Sequence, residues 1–192
     1  MRIVLATGNR DKVAELTALL APASVEAAPD GFDVEETGTT LLQNAWMKAA
    51  ALREKAGPDA VVVADDSGLA VRALGGRPGV FSSRYAGSDA TYEDNCRRLL
   101  QELDGLKDRR AAVVAVLVAL APRGDAFVAC GTCPGDIAPA PRGTGGFGYD
   151  PVFIPDGEAR TMAEMTAAEK GAISHRGRAA RRLAAAMGLS GA

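Results

Sequence analysis

Two adjacent carboxylates close a short apolar run in Val61-Val62-Val63-Ala64-Asp65-Asp66-Ser67-Gly68. The run is β-branched, brief and bounded by Gly57-Pro58 and Gly68, so it reads as a buried strand rather than a helix. Carboxylates at the carboxyl end of such a strand stand where open α/β sheets hold their ligands. Strand alternation sends Asp65 and Asp66 to opposite faces, so one of them serves a given site. The competing reading is an Asp pair that caps a turn. A second carboxylate pair, Glu35-Glu36, lies in a Pro/Gly-punctuated stretch just ahead of a helix.

Anion-binding chemistry is suggested at Thr7-Gly8-Asn9-Arg10-Asp11-Lys12. The segment follows the strand-like Arg2–Ala6 and precedes a helix with apolar positions Val13, Leu16, Leu19 and Leu20. Asn9 is an N-cap candidate, and Gly8 permits a sharp turn. The free N–H groups and dipole of a helix start favour an anion, with Lys12 close by. An ordinary βα turn has the same features, and the P-loop pattern G-x-x-x-x-G-K-S/T is absent.

Gly143-Thr144-Gly145-Gly146-Phe147-Gly148 matches G-x-G-x-x-G, but it leads into Tyr149-Asp150-Pro151 and the strand-like Val152-Phe153-Ile154. A dinucleotide fingerprint must open a helix, so this is a glycine-rich loop that displays Phe147, Tyr149 and Asp150. An aromatic ring and a carboxylate suit stacking on and hydrogen bonding to a planar base. A tight turn with two core aromatics is the alternative. Ser174-His175-Arg176 opens the last helix. Cations at a helix start oppose the dipole unless an anion or acceptor compensates, although an exposed His-Arg pair reads equally well.

The elements that must position these residues follow in order. Residues 21–38 hold Val25 and Phe32–Val34 as short strand pieces. Thr40-Leu41-Leu42-Gln43 fits a capping box, and the helix it opens is expected to reach about Ala56 and bury Leu42, Ala45, Trp46, Ala49 and Leu52. Leu69–Arg72 alternates as a short strand of its own, and Thr91 starts a helix with Cys96, Leu99, Leu100 and Leu103. Ala111–Ala121 and Ala126–Thr132 read as strands joined by a turn, and Thr166–Glu169 as another capping pattern.

With 192 residues the chain can bury a sizeable core, and its net charge of −2 gives no general nucleic-acid or membrane surface. The chain begins at once with a strand, without a charged leader or a membrane-length apolar segment, so a cytoplasmic location is expected. Cys96, Cys130 and Cys133 make no disulfide framework. The Cys130/Cys133 pair sits in a strand-like stretch, and His175 is the only histidine, which leaves a zinc site short of ligands.

Taken together, Thr7-Gly8-Asn9…Lys12, Glu35-Glu36-Thr37-Gly38, Asp65-Asp66-Ser67-Gly68-Leu69, Gly145–Pro151 and Glu169-Lys170…Ser174-His175-Arg176-Gly177 closely resemble, in order, the motifs of the non-standard purine NTP pyrophosphatases. These are also called inosine triphosphate or dITP/XTP pyrophosphatases, and the likeness runs from Ile3 to about Leu183. The resemblance implies an α/β fold with an elongated mixed β-sheet and flanking helices, two lobes around a central cleft, and one pyrophosphatase domain over the whole chain. It implies a homodimer and Mg²⁺-dependent hydrolysis of ITP, dITP or XTP to the monophosphate and pyrophosphate.

By position, the resemblance makes Asp66 the general base and a metal ligand, and Glu36 the other metal ligand. It makes Thr7, Gly8, Asn9, Arg10, Asp11, Lys12, Ser67, Phe147, Gly148, Tyr149, Asp150, Lys170, His175 and Arg176 substrate contacts. Where many members carry Glu, this chain has Gln43; as the third residue of a capping box, Gln serves as well. The rivals are a Maf-type nucleotide pyrophosphatase, disfavoured by the Phe-Gly-Tyr-Asp and Ser-His-Arg motifs, and a nucleotide sensor without turnover, disfavoured by the presence of Lys12, Glu36 and Asp66.

Overall fold

The computed structural model describes residues 1–189. Six strands form one mixed sheet with flanking helices: β1 (Arg2–Leu5), β2 (Ser24–Ala27), β3 (Val61–Val71), β4 (Arg110–Leu120), β5 (Ala126–Ile137) and β6 (Phe153–Pro155). Their order in the sheet is β2-β1-β3-β4-β5-β6, with β1 parallel to β2 and β3, and β6 antiparallel to β5. The helices are α1 (Arg10–Leu19), α2 (Leu41–Arg53), α3 (Tyr92–Glu102), α4 (Ala167–Ile173) and α5 (His175–Ala186). No helix among the described residues is long and apolar enough to cross a membrane.

The chain packs as two compact units. Among the described residues the first comprises 1–66, 115–131 and 176–189, and the second 67–114 and 132–175. In the first unit, strand alternation sorts the core. Ile3, Leu5, Val61 and Val63 pack with Leu16 and Leu20 of α1 and Leu183 of α5. Val4, Ala6, Val62 and Ala64 pack with Ala45, Ala49 and Leu52 of α2. The second unit has its own core, which joins Leu69 and Val71 to Leu99 and Leu103 of α3 and to Phe153.

Four expectations are corrected. β3 does not end at the Asp pair but continues as strand to Val71, so the separate strand at Leu69–Arg72 is its second half. Both carboxylates carry enough pairing partners to stay in a buried strand, which composition alone does not reveal. The pair nevertheless lies beyond the last β1 partner, since β1–β3 pairing stops at Leu5↔Val63.

α2 presents a different face from the one expected. Asn44, Ala45, Lys48, Ala49 and Leu52 are buried, whereas Leu42 and Trp46 remain 44% and 43% exposed. The helix also stops at Arg53, whose guanidinium donates to the carbonyls of Ala56, Gly57 and Ala60. Of the proposed strand pieces in residues 21–38, Val25 lies in β2 and Phe32–Val34 is irregular.

Candidate active site

The sorting of the first unit's core fixes what surrounds each aspartate. Asp65 continues the row of Val61 and Val63 toward α1 and α5. There its Oδ2 accepts from Arg176 Nη2 at 3.0 Å and is paired with Lys12 Nζ at 2.9 Å. Its Oδ1 is buried without a hydrogen-bond partner among the described residues. Asp66 continues the row of Val62 and Ala64 toward α2. Its Oδ1 accepts from Lys48 Nζ at 3.0 Å, and its Oδ2 from Asn44 Nδ2 at 3.3 Å.

The two carboxylates are driven apart electrostatically. Burial pushes the Asp65 carboxyl up, but Arg176 and Lys12 outweigh it and hold the group well below the usual carboxylate range. For Asp66 burial wins and raises the group, with Glu36 adding to it against the pull of Lys48 and Lys12. Neighbouring carboxyls with diverging proton affinities are the arrangement in which one group can stay a fixed charge while the other exchanges a proton.

Lys48 is one of the residues that sequence reasoning missed. Its ammonium donates to Glu36 Oε1 at 2.8 Å, to Asp66 Oδ1 at 3.0 Å and to the Asp65 carbonyl at 2.9 Å. Burial works against its charge, yet Asp66 and Glu36 keep it protonated above the usual lysine range. Asn44 and Lys48 are spaced i, i+4 on the otherwise apolar face of α2, and that polar stripe was the available signal. Asn44 Oδ1 also accepts from the Gly38 N–H at 2.8 Å. A Cβ at Gly38 would meet that oxygen at 2.5 Å, so the loop after Glu36 closes on α2 only with glycine there.

At the start of α1, Asn9 is the N-cap: its Oδ1 accepts from the N–H groups of Asp11 and Lys12. Two N–H groups of the expected anion cradle are therefore already engaged. Gly8 is not in the left-handed region, and a Cβ there would make ordinary contact with the Phe32 carbonyl oxygen at 3.7 Å. The turn itself does not require glycine. What Thr7–Lys12 does bring to the site is the Lys12 ammonium, beside Asp65. Gln43 Oε1 accepts from the N–H groups of Thr39 and Thr40 at 2.8 and 3.1 Å, which completes the capping box with Thr40.

Arg176 and His175 are not an exposed pair. Arg176 is 1% exposed, and Asp65 and Glu15 (Nη1 to Oε2, 2.6 Å) supply the acceptors that a cation at a helix start requires. Glu15, one turn along α1 from Lys12, escaped notice because it looks like a solvated helix position. His175 is buried as well.

The second unit collects the other expected residues: Ser67, Phe147, Gly148, Tyr149, Asp150, Lys170 and His175. Asp150 Oδ2 accepts from the Phe147 N–H at 2.8 Å and is paired with Lys170. Gly146 has φ +67°, and a Cβ there would run into the same carboxylate at 2.0 Å. Asp150 thus shapes the loop, while the Lys170 ammonium lies 4.7 Å from the centre of the Phe147 ring. Tyr149 donates to the Ser82 carbonyl at 2.9 Å. Phe147 lines a pocket of about 950 Å³ with Tyr92, Cys96 and Leu100 of α3 and the glycine-rich loop. Tyr92 flanks the ring at 5.9 Å.

Glu36 and Asp66 offer hard carboxylate oxygens to one shared cation, the donor chemistry that Mg²⁺ takes while keeping several waters. Among the described residues no group of three or more His, Cys, Asp or Glu could enclose a metal. The exposed Cys130 and buried Cys133 are both free thiols.

Residues 3–186 match the Ham1 family. The chain is 49% identical over 189 residues to a dITP/XTP pyrophosphatase of Geobacillus kaustophilus, covering 94% of this chain and 91% of that protein. It is 48% identical over 191 residues to a dITP/XTP pyrophosphatase of Streptomyces coelicolor, covering 95% and 94%. Among solved structures, the Staphylococcus aureus Ham1 protein superposes with a TM-score of 0.85 at 39% identity, covering 97% of this chain and 98% of that one. Matches of this extent take in both units and every motif described above. The chain belongs to the Ham1 family.

Proposed function

We propose that this protein hydrolyses non-standard purine nucleoside triphosphates, ITP, dITP and XTP, to the nucleoside monophosphate and pyrophosphate, and so clears them from the nucleotide pool. The observation that carries the reading is the Glu36–Lys48–Asp66 cluster on the α2 side of β3. It occurs in a chain about half identical to named dITP/XTP pyrophosphatases along nearly its full length.

Phosphoryl transfer asks a protein for charge neutralisation and an aimed water rather than for covalent chemistry. Asp66 is the general base: burial raises its proton affinity, and it takes a proton from water as the oxygen attacks the α-phosphorus and pyrophosphate leaves. Asp65 stays charged and anchors Lys12 and Arg176. When bound through Glu36 and Asp66, a Mg²⁺ ion supplies charge neutralisation for the polyphosphate.

The reading assigns Thr7–Lys12 and Ser67 to the phosphates and sugar. It assigns Phe147–Asp150, Lys170, His175 and Arg176 to the base, with Phe147 as the stacking face and Asp150 and Arg176 acting through the groups they hold. The active form in this reading is a homodimer.

The test is product analysis with purified protein, Mg²⁺ and ITP, XTP, dITP, ATP or GTP. The expected result is pyrophosphate and monophosphate from the first three, with kcat/KM for ATP and GTP lower by ~10²-fold or more, the scale on which a site built around hydrogen bonds rejects a mismatched edge. Release of orthophosphate and diphosphate, or equal turnover of ATP, contradicts it.

A further inference from the structure

Lys48 sits where a metal that uses Glu36 and Asp66 would have to act. Its ammonium lies within 3.0 Å of one oxygen from each carboxylate, and a third bond to the Asp65 carbonyl ties it to the backbone of β3. The lysine side chain is only 10% exposed, so it is no solvated surface pair in passing contact. Two carboxylates this close repel each other and need a positive charge to stay together. In this structure that charge is Lys48. A divalent cation supplies the same charge to the same oxygens, but at the shorter distance of ~2.0–2.1 Å that Mg²⁺ demands. A divalent cation on Glu36 Oε1 and Asp66 Oδ1 repels an ammonium that holds the same two oxygens.

We propose that Lys48 is a stand-in cation: it keeps Glu36 and Asp66 in place while no metal is bound, and gives up those two oxygens when a divalent cation takes them. This rests on the assignment of these carboxylates to Mg²⁺ made above. The Asp65 carbonyl and the length of the lysine chain leave the ammonium a place on the strand after the exchange. Asn44, on the other Asp66 oxygen, keeps the carboxylate oriented throughout. Lys48 is thus a positioning residue whose effect on metal binding is inhibitory, the reverse of what a merely supportive contact would do.

The experiment titrates Mn²⁺ into nucleotide-free protein by electron paramagnetic resonance and follows thermal unfolding in EDTA and in saturating Mg²⁺. Lys48→Met is expected to bind Mn²⁺ roughly tenfold more tightly than wild type, the scale of one unit charge a few ångströms away. The same variant melts below wild type in EDTA, and the gap closes in Mg²⁺. Lys48→Arg, which keeps the charge, restores the weaker wild-type affinity. If Lys48→Met does not fold without metal, Lys48→Gln keeps a donor without the charge and carries the same expectations.

Equal or weaker Mn²⁺ binding by the neutral variants, or a melting deficit that is the same with and without Mg²⁺, overturns the exchange and leaves the metal assignment standing. Absence of Mn²⁺ binding by wild type, both alone and with nucleotide, overturns the metal assignment and the exchange with it.

Discussion

The Asp65 side chain is fully enclosed, with Lys12 and Arg176 converging on one of its oxygens. Removing one partner of such a buried group leaves the others uncompensated, which typically costs ~3–5 kcal/mol. Asp65→Asn is therefore expected to lose that much stability in chemical denaturation at pH 7; a loss under about 1 kcal/mol contradicts the pairing, since surface changes fall in that range. The sign with pH follows from the depressed proton affinity of Asp65. Its contribution is present above the ordinary carboxylate range and lost as pH falls through the folded value, so wild type and variant converge on acidification.

At this scale the sequence was legible wherever like residues stood together. Asp65-Asp66 and Glu35-Glu36 declared themselves, and the alternation rule separated the first pair correctly. Lys48, Asn44 and Glu15 did not, because a single polar residue on a helix reads as solvated until its neighbours across the fold are known. Arg176 was visible as an unbalanced cation, but the acidic partners that balance it are distant in sequence.

Capping boxes are the element-scale feature most directly written in the chain. The Thr40–Gln43, Thr91–Asp94 and Thr166–Glu169 boxes all form, the last of them on the helix that carries Lys170. Hydrogen bonds from Thr91 and Thr166 lower Asp94 from 3.8 to about 2 and Glu169 from 4.5 to about 2. A depressed carboxyl stabilises its cap above its unfolded value, and the contribution disappears as pH falls through the folded one. The amide resonances of Thr91 and Thr166 are expected to titrate with midpoints near pH 2, measured by NMR. Midpoints at the ordinary values mean that the boxes are open.

Other elements were less legible. Asp, Ser and Gly are poor strand formers, so composition alone ends β3 at the Asp pair, and tertiary pairing overrides that propensity. The face of α2 was misassigned for a related reason: Leu42 and Trp46 are apolar, but the helix is rotated so that Asn44 and Lys48 reach β3.

For the molecule as a whole, each unit is assembled from separate stretches of chain, which cross from one to the other after residues 66, 114, 131 and 175. Residues adjacent in sequence consequently belong to different units: Asp66 and Ser67 part at the first crossing, and His175 and Arg176 at the last. Hydrophobic periodicity carries no mark of such a boundary, since β3, β4 and β5 run through it as regular strands. The resemblance in motif order supplied the family, and the match over residues 3–186 bears it out. Turnover of the whole enzyme is expected to depend on one carboxylate, Asp66. The direct measurement is kcat and KM for ITP with Mg²⁺ on Asp66→Asn beside wild type, with circular dichroism to confirm the fold. Loss of the base is expected to lower kcat ~10²–10⁴-fold with KM little changed, whereas a folded variant that keeps more than about a tenth of wild-type kcat contradicts the assignment.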